Sequence, residues 1–139
     1  MLFTRGKRLV DQILIVEDEP LVAFDNEHFL VEHGYRVVAT VNSAAQALAV
    51  IASEEIDLVL ADVNLSDRGD GIEVARAAQE REIATLFVTA TCPANARELS
   101  IGCLSKPYSQ RDLKAAIEAV DAKLSGRKTG KLPEGLTLY

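Results

Sequence analysis

The sequence has no apolar run near the roughly 18–20 residues a membrane-spanning helix requires. Arg5, Lys7 and Arg8 give it a basic start, but no uninterrupted apolar stretch follows, so this start is not expected to be a secretory signal. Cysteine occurs twice, too seldom to staple a fold of this length, and Cys92 and Cys103 show no metal-ligand spacing. The expected setting is therefore a reducing cytoplasm. Low-complexity tracts are absent. What remains is a chain of 139 residues that fits one domain. Its 48% hydrophobic content is enough to bury a core, which argues against extended disorder.

Fifteen basic and 21 acidic residues give a net charge of −6. The basic residues Arg5, Lys7, Arg8, Arg127, Lys128 and Lys131 lie at the two ends, leaving 9 basic and 20 acidic residues in the body. An acidic body repels DNA phosphates, so no direct DNA binding is expected. The basic ends read most simply as solvated tails.

Five short apolar runs punctuate the chain: Ile13-Leu14-Ile15-Val16, Tyr35 to Ala39, Leu58-Val59-Leu60-Ala61, Ile83 to Val88, and the weaker Cys103-Leu104-Ser105. β-Branched runs with hardly any alternation suit strands buried on both faces, and each gap has room for a crossover helix. That is the βα repeat of a doubly wound parallel sheet. Pro20 opens a helix that Gly34 stops. Ser43-Ala44-Ala45-Gln46 is a capping box, and Ser109-Gln110-Arg111-Asp112 resembles another. Further helices are expected from Gly71 to about Glu80 and from Pro93 to Ser100. The last helix carries Leu113, Ile117, Val120 and Leu124 as one stripe, read as core packing. The first carries Leu21, Val22, Phe24, Phe29, Leu30 and Val31, more than one narrow stripe needs. The excess is either a broad sheet contact or a partner surface, and a homodimer stays open. His28 and His33 read as surface or interface residues on that helix, not ligands.

In open parallel sheets, ligands bind beyond the carboxyl ends of the strands. Glu17, Asp18 and Glu19 follow the first strand, Asp62 the third, Thr89 the fourth and Lys106 the fifth. Carboxylates gathered so closely repel one another, and a divalent cation removes the conflict. Magnesium takes oxygen ligands and keeps waters when one or two carboxylates bind it. A lysine and a hydroxyl beside the metal suit a phosphoryl group.

These motifs, Ile-Leu-Ile-Val-Glu17-Asp18-Glu19-Pro20, Leu-Val-Leu-Ala-Asp62-Val-Asn64-Leu, Phe-Val-Thr89-Ala90 and Leu-Ser-Lys106-Pro107-Tyr108, resemble the receiver domain of two-component response regulators. Each is weak alone, but four in this order at four strand ends are a strong signal. The resemblance spans about Gln12 to Leu124. It implies a flavodoxin-like five-stranded parallel sheet, order 2-1-3-4-5, with helices on both faces. Residues 1–11 are then a basic extension, 12–125 the receiver and 126–139 a flexible tail. Asp62 resembles the phosphoacceptor that attacks a phosphohistidine on a histidine kinase or phosphotransfer protein. Asp18 matches the direct Mg2+ ligand, Glu17 the acid that reaches the metal directly or through water, and the Asn64 carbonyl a third ligand, with Asp62 itself in the metal shell. Thr89 and Lys106 would contact phosphoryl oxygens, and the Lys106–Pro107 bond is often cis in such domains. The expected role is a phosphoacceptor that assists its own phosphorylation and dephosphorylation, not an enzyme in the ordinary sense. Its output would pass to a protein partner through the face of the fourth helix, fifth strand and fifth helix.

Departures from the pattern are specific. Cys103 stands where receivers often carry an aromatic coupled to the hydroxyl residue. It reads as a small buried strand residue, with a redox sensor as the alternative. Ser66-Asp67-Arg68-Gly69-Asp70 replaces the usual proline-containing turn. Asp67 and Asp70 are read as turn formers, with metal contact as the alternative. Asn64 and Thr91, at positions that often tune dephosphorylation, are small and polar, so a phosphorylated lifetime of modest length is expected. No output module follows residue 125, and Met1 leans toward a stand-alone receiver. A receiver fragment of a larger hybrid kinase or regulator is the second form of the idea. A Mg2+-dependent phosphatase-like enzyme with Asp62 as nucleophile is the alternative from another class, but it needs a second aspartate where Asn64 stands. A nucleotide-binding domain would need glycines where Glu17-Asp18-Glu19-Pro20 stands.

Overall fold

The computed structural model describes residues 8–65 and 70–139. In chain order the elements are β1 (Gln12–Val16), α1 (Pro20–Glu32), β2 (Arg36–Val41), α2 (Ala44–Ser53), β3 (Leu58–Ala61), α3 (Gly71–Glu80), β4 (Ala84–Thr89), α4 (Ala96–Leu99), β5 (Gly102–Ser105), α5 (Gln110–Leu124) and β6 (Leu136–Leu138). They form one sheet of order β2-β1-β3-β4-β5-β6. The first five strands are parallel, as expected from the βα alternation, and β6 runs antiparallel to β5.

Strand side chains alternate between the two faces. Ile13, Ile15, Leu58, Leu60, Leu86, Val88 and Leu104 bury against Leu30 of α1 and Leu113, Ile117 and Val120 of α5. Leu14, Val16, Val59, Ala61, Phe87 and Cys103 bury against Ala47 and Ile51 of α2, Val74 and Ala78 of α3, and Leu99 of α4. Both faces of β1, β3 and β4 are therefore covered, which explains why these strands read as continuous apolar runs. Helix starts follow local chemistry. Ser43 accepts from Gln46 N–H at 3.2 Å, Asp70 from Glu73 N–H at 3.0 Å, and Ser109 from Asp112 N–H at 3.0 Å.

Three expectations are corrected. The fourth helix is one turn, not Pro93 to Ser100. Pro93 and Asn95 make turns that feed Ala96 and Glu98, and both the N–H and hydroxyl of Ser100 bond back to the Ala96 carbonyl. The sheet has six strands because the end of the supposed flexible tail joins it. Ser105 N–H donates to Gly135 O, and Tyr139 N–H to Ile101 O. Gly102 makes this close approach possible: a Cβ there would lie 2.7 Å from Thr137 O. Of the basic end residues that are described, Arg8 and Arg127 are anchored rather than solvated, while Lys128 and Lys131 are exposed as expected. Arg8 lies over the Tyr35 ring, and Arg127 pairs with Asp121 at 2.8 Å. The buried Asp121 also accepts from the N–H groups of Leu9 and Val10. Arg5 and Lys7 fall outside the described residues.

Candidate functional site

The strand ends on one edge converge through ladder bonds that run past the strands. Glu17 N–H donates to Val41 O, Asp62 N–H to Val16 O, and Lys106 N–H to Thr89 O. The first residue beyond β1, β3 and β5 is thus fixed by its neighbour, and each carries a charged side chain. Lys106 Nζ lies 2.8 Å from Asp62 Oδ2, 3.1 Å from Glu17 Oε1 and 3.6 Å from Glu19 Oε1. The Lys106–Pro107 bond is cis. Asn64 N–H donates to Asp62 Oδ1 at 3.0 Å, so both oxygens of this buried carboxylate are engaged.

α3 is docked tightly behind the aspartate. Gly71 N–H donates to Val63 O, and a Cβ on Gly71 would lie 2.3 Å from Asp62 O. No other residue type fits there without moving the backbone that carries Asp62.

One ammonium faces several acids. Carboxylate oxygens of Glu17, Asp18 and Asp62 lie within 4.8 Å of one another. Burial pushes the Glu17 carboxyl above its ordinary value of 4.5, opposed by the Glu19 N–H and by Lys106. Burial alone lowers Lys106, but its bonds to Asp62 and Glu17 outweigh that and hold it above its ordinary value. Glu17 Oε2 accepts from Glu19 N–H and Lys106, whereas buried Oε1 has no aligned donor despite its nearness to the ammonium. An orphaned buried oxygen inside a triad of hard donors fits a divalent cation.

Thr89 ends β4 fully buried, and its Oγ1 has no hydrogen-bond partner. The sequence reading therefore placed Glu17, Asp18, Asp62 and Lys106 in one cluster, which the structure brings together. Thr89 lies on the neighbouring strand end, and the Asn64 side chain is exposed. Asp70 is exposed and serves as the α3 cap, while Asp67 lies outside the described residues.

Two features were missed. Tyr108 accepts a hydrogen bond from Asn26 Nδ2 at 2.9 Å, which ties the segment after Lys106 to α1. Cys92 and Cys103 form a disulfide with a Cα–Cα distance of 6.2 Å. Cys103 is indeed a buried strand residue, but it is not free. The β4–β5 pairing was the signal that could have revealed the bridge, since it brings the loop after β4 alongside β5.

The family model of the response regulator receiver domain matches residues 13–118. The chain belongs to this family. The receiver is 31% identical to the phyllosphere-induced regulator PhyR of Methylorubrum extorquens over 59% of this chain and 32% of that protein. It is 29% identical to the transcriptional regulatory protein YvrH of Bacillus subtilis over 77% of this chain and 47% of that one. It thus spans from about a third to just under a half of these curated relatives. A CheY-like receiver domain protein from Methanospirillum hungatei superimposes with a TM-score of 0.71 at 26% identity, covering 84% of this chain and 95% of that one. The anti-anti-sigma factor PhyR of Bartonella quintana gives 0.67 at 28% identity, covering 78% and 47%. Receiver domains are signalling domains rather than general catalysts, and they work with histidine kinases and downstream partners. Among the described residues no helix is long and apolar enough to cross a membrane.

Proposed function

We propose that this receiver accepts a phosphoryl group from a phosphohistidine onto Asp62 in a Mg2+-dependent reaction and signals through protein contacts. The observation that carries this reading is the Asp62 carboxylate, buried among the acids of the triad with Lys106 Nζ 2.8 Å away. Glu17, Asp18, Asp62 and the Asn64 carbonyl would hold the metal. When bound, it neutralises charge on the transferring group. An Asp62 oxygen attacks phosphorus, the P–N bond breaks, and the histidine nitrogen keeps the electron pair. Lys106 follows from Asp62 to a phosphoryl oxygen, exchanging one ion pair for another. The Thr89 hydroxyl, unpartnered in this state, donates to a second oxygen. Gaining that bond favours an arrangement with Thr89 and the following loop drawn toward Asp62, a two-state bias of the kind that carries a signal.

The outgoing surface is the α4–β5–α5 face, in which β6 covers the outer edge of β5, and the partner is a protein. The acidic body disfavours direct contact with DNA. Asn64 cannot titrate, which disfavours a phosphatase-like use of Asp62. Incubation with Mg2+ and acetyl phosphate should add one phosphoryl group by intact mass, and Asp62→Asn should abolish it. No adduct on the parent protein with either acetyl phosphate or a cognate kinase would overturn the reading. An adduct surviving in Asp62→Asn would move the acceptor elsewhere.

A further inference from the structure

The proposed switch runs through Thr89 and the segment after it, and that segment is covalently closed. The Cys92–Cys103 bridge joins the loop three residues beyond Thr89 to the middle of β5. The ring so formed encloses α4 and all of the connection between β4 and β5 except Ala90 and Thr91. It also lies close to the site: Thr89 pairs in register with Ser105, and Cys92 Sγ is 4.0 Å from Ser105 Oγ.

Without the bridge the enclosed segment keeps its seat on the sheet. Ile101 N–H donates to Thr85 O, Ser100 N–H to Ala96 O, and Ala96 and Leu99 are buried. What the bridge adds is a covalent tie on the stretch nearest Thr89. Its two residues differ in exposure: Cys103 is fully buried, whereas Cys92 is part-exposed on the loop.

We propose that Cys92 and Cys103 form a reversible thiol–disulfide centre, with a small or protein dithiol as its reductant, whose oxidised state restrains the Ala90–Asn95 stretch that follows Thr89. The restraint on signalling rests on the function proposed above; the centre itself does not. A thiolate of the dithiol attacks Sγ of the part-exposed Cys92. The S–S bond breaks, and Cys103 leaves with the electron pair and takes a proton. The second thiol attacks the mixed disulfide, releases Cys92 as a thiolate that is then protonated, and the reductant departs as its own disulfide. Two electrons pass to the protein. A disulfide oxidant such as oxidised glutathione reverses the sequence. In a compartment where thiols are kept reduced, a bridge of this kind is transient and reports redox state. Oxidised, the loop is tied to β5 and Thr89 has less freedom to follow a phosphoryl oxygen. Reduced, the loop is released.

Labelling with N-ethylmaleimide after denaturation counts thiols. The air-exposed protein should take no label. Dithiothreitol applied to the folded protein should expose two thiols, and oxidised glutathione should close them again. Two labels before reduction, or reduction only after unfolding, overturns the centre. Hydrogen exchange then reads the restraint. Without any phosphodonor, exchange across Ala90–Asn95 should rise roughly tenfold on reduction, and Cys92→Ser should match the reduced protein. With Mg2+ and acetyl phosphate, a further change in that segment should be larger in the reduced form. Equal exchange in both redox forms overturns the restraint. Absence of a phosphoryl adduct in both forms counts instead against Asp62 as acceptor, and the unphosphorylated comparison still decides the bridge.

Discussion

At the scale of single residues, the site is defined by an excess of acids around one ammonium. Glu17 is the most instructive. Burial raises its pKa, so the metal-free folded state holds its proton to higher pH than the unfolded chain. The sign follows from linkage: stability from this group is fully present below pH 4.5 and is lost as pH rises from 4.5 through the higher folded value. Glu17→Gln deletes the titration. In chelator, the denaturant midpoint of the variant should gain on the parent protein as pH rises through that window, and the two should run parallel below it. Saturating Mg2+ should reverse the order near neutral pH, because the parent then has a ligand the variant lacks. Parallel profiles across the whole range would mean that burial does not control this carboxyl. Glu17, Asp18, Asp62 and Lys106 were legible in the sequence for a plain reason. Glu17, Asp62 and Lys106 directly follow their strand runs and Asp18 comes next after Glu17, and strand ends in parallel sheets face one edge. The unpartnered Thr89 hydroxyl and the Tyr108–Asn26 bond were not legible, since both depend on side-chain placement between distant segments.

At the scale of elements, two glycines set how closely neighbours dock. Gly71 lets the start of α3 press against the backbone of Asp62. Gly71→Ala must displace one or the other, and a misplaced nucleophile loses rate steeply. Phosphorylation by acetyl phosphate should slow roughly 10- to 100-fold while far-ultraviolet circular dichroism stays the same. An unchanged rate would show that α3 yields instead. Gly102 plays the matching part for β6. Gly102→Val should expel the strand at a cost of about 1–3 kcal/mol, read as lost exchange protection at the amides of Ser105 and Tyr139, which bond to Gly135 and Ile101. Retained protection would mean that β6 tolerates the added side chain. The five parallel strands were readable because their runs are apolar on both faces. β6 was not, because Leu136-Thr137-Leu138 is three residues long and follows a segment rich in glycine and proline. The fourth helix was overread for a related reason: its turn-forming start looks like a helix start until the hydrogen bonds are known.

At the scale of the whole molecule, a phosphoryl donor that is itself a protein needs a surface near Asp62, whereas acetyl phosphate needs only access. α1 has an exposed apolar stripe there. It begins just beyond Asp18, and Leu21, Phe24 and Val31 are 78%, 67% and 56% exposed. Their spacing puts them on one stripe, which His28 continues by stacking on Phe24. This resolves the excess apolar residues of the helix: Leu30 packs in the core, and the stripe faces outward. A groove lined by Val22, Asn26, Ala90, Lys106 and Tyr108 opens beside the site along the same helix. An apolar stripe next to an acidic pocket suits a partner that offers a helix with its histidine at the rim. Phe24→Glu and Leu21→Glu should therefore slow transfer from a phosphorylated protein donor roughly tenfold, with the acetyl phosphate rate unchanged. If both donors slow together, the substitutions act through the fold. If neither slows, the donor docks on another face, and α1 is left to explain its exposed stripe by pairing between copies, which sedimentation of the parent protein and Phe24→Glu would then decide.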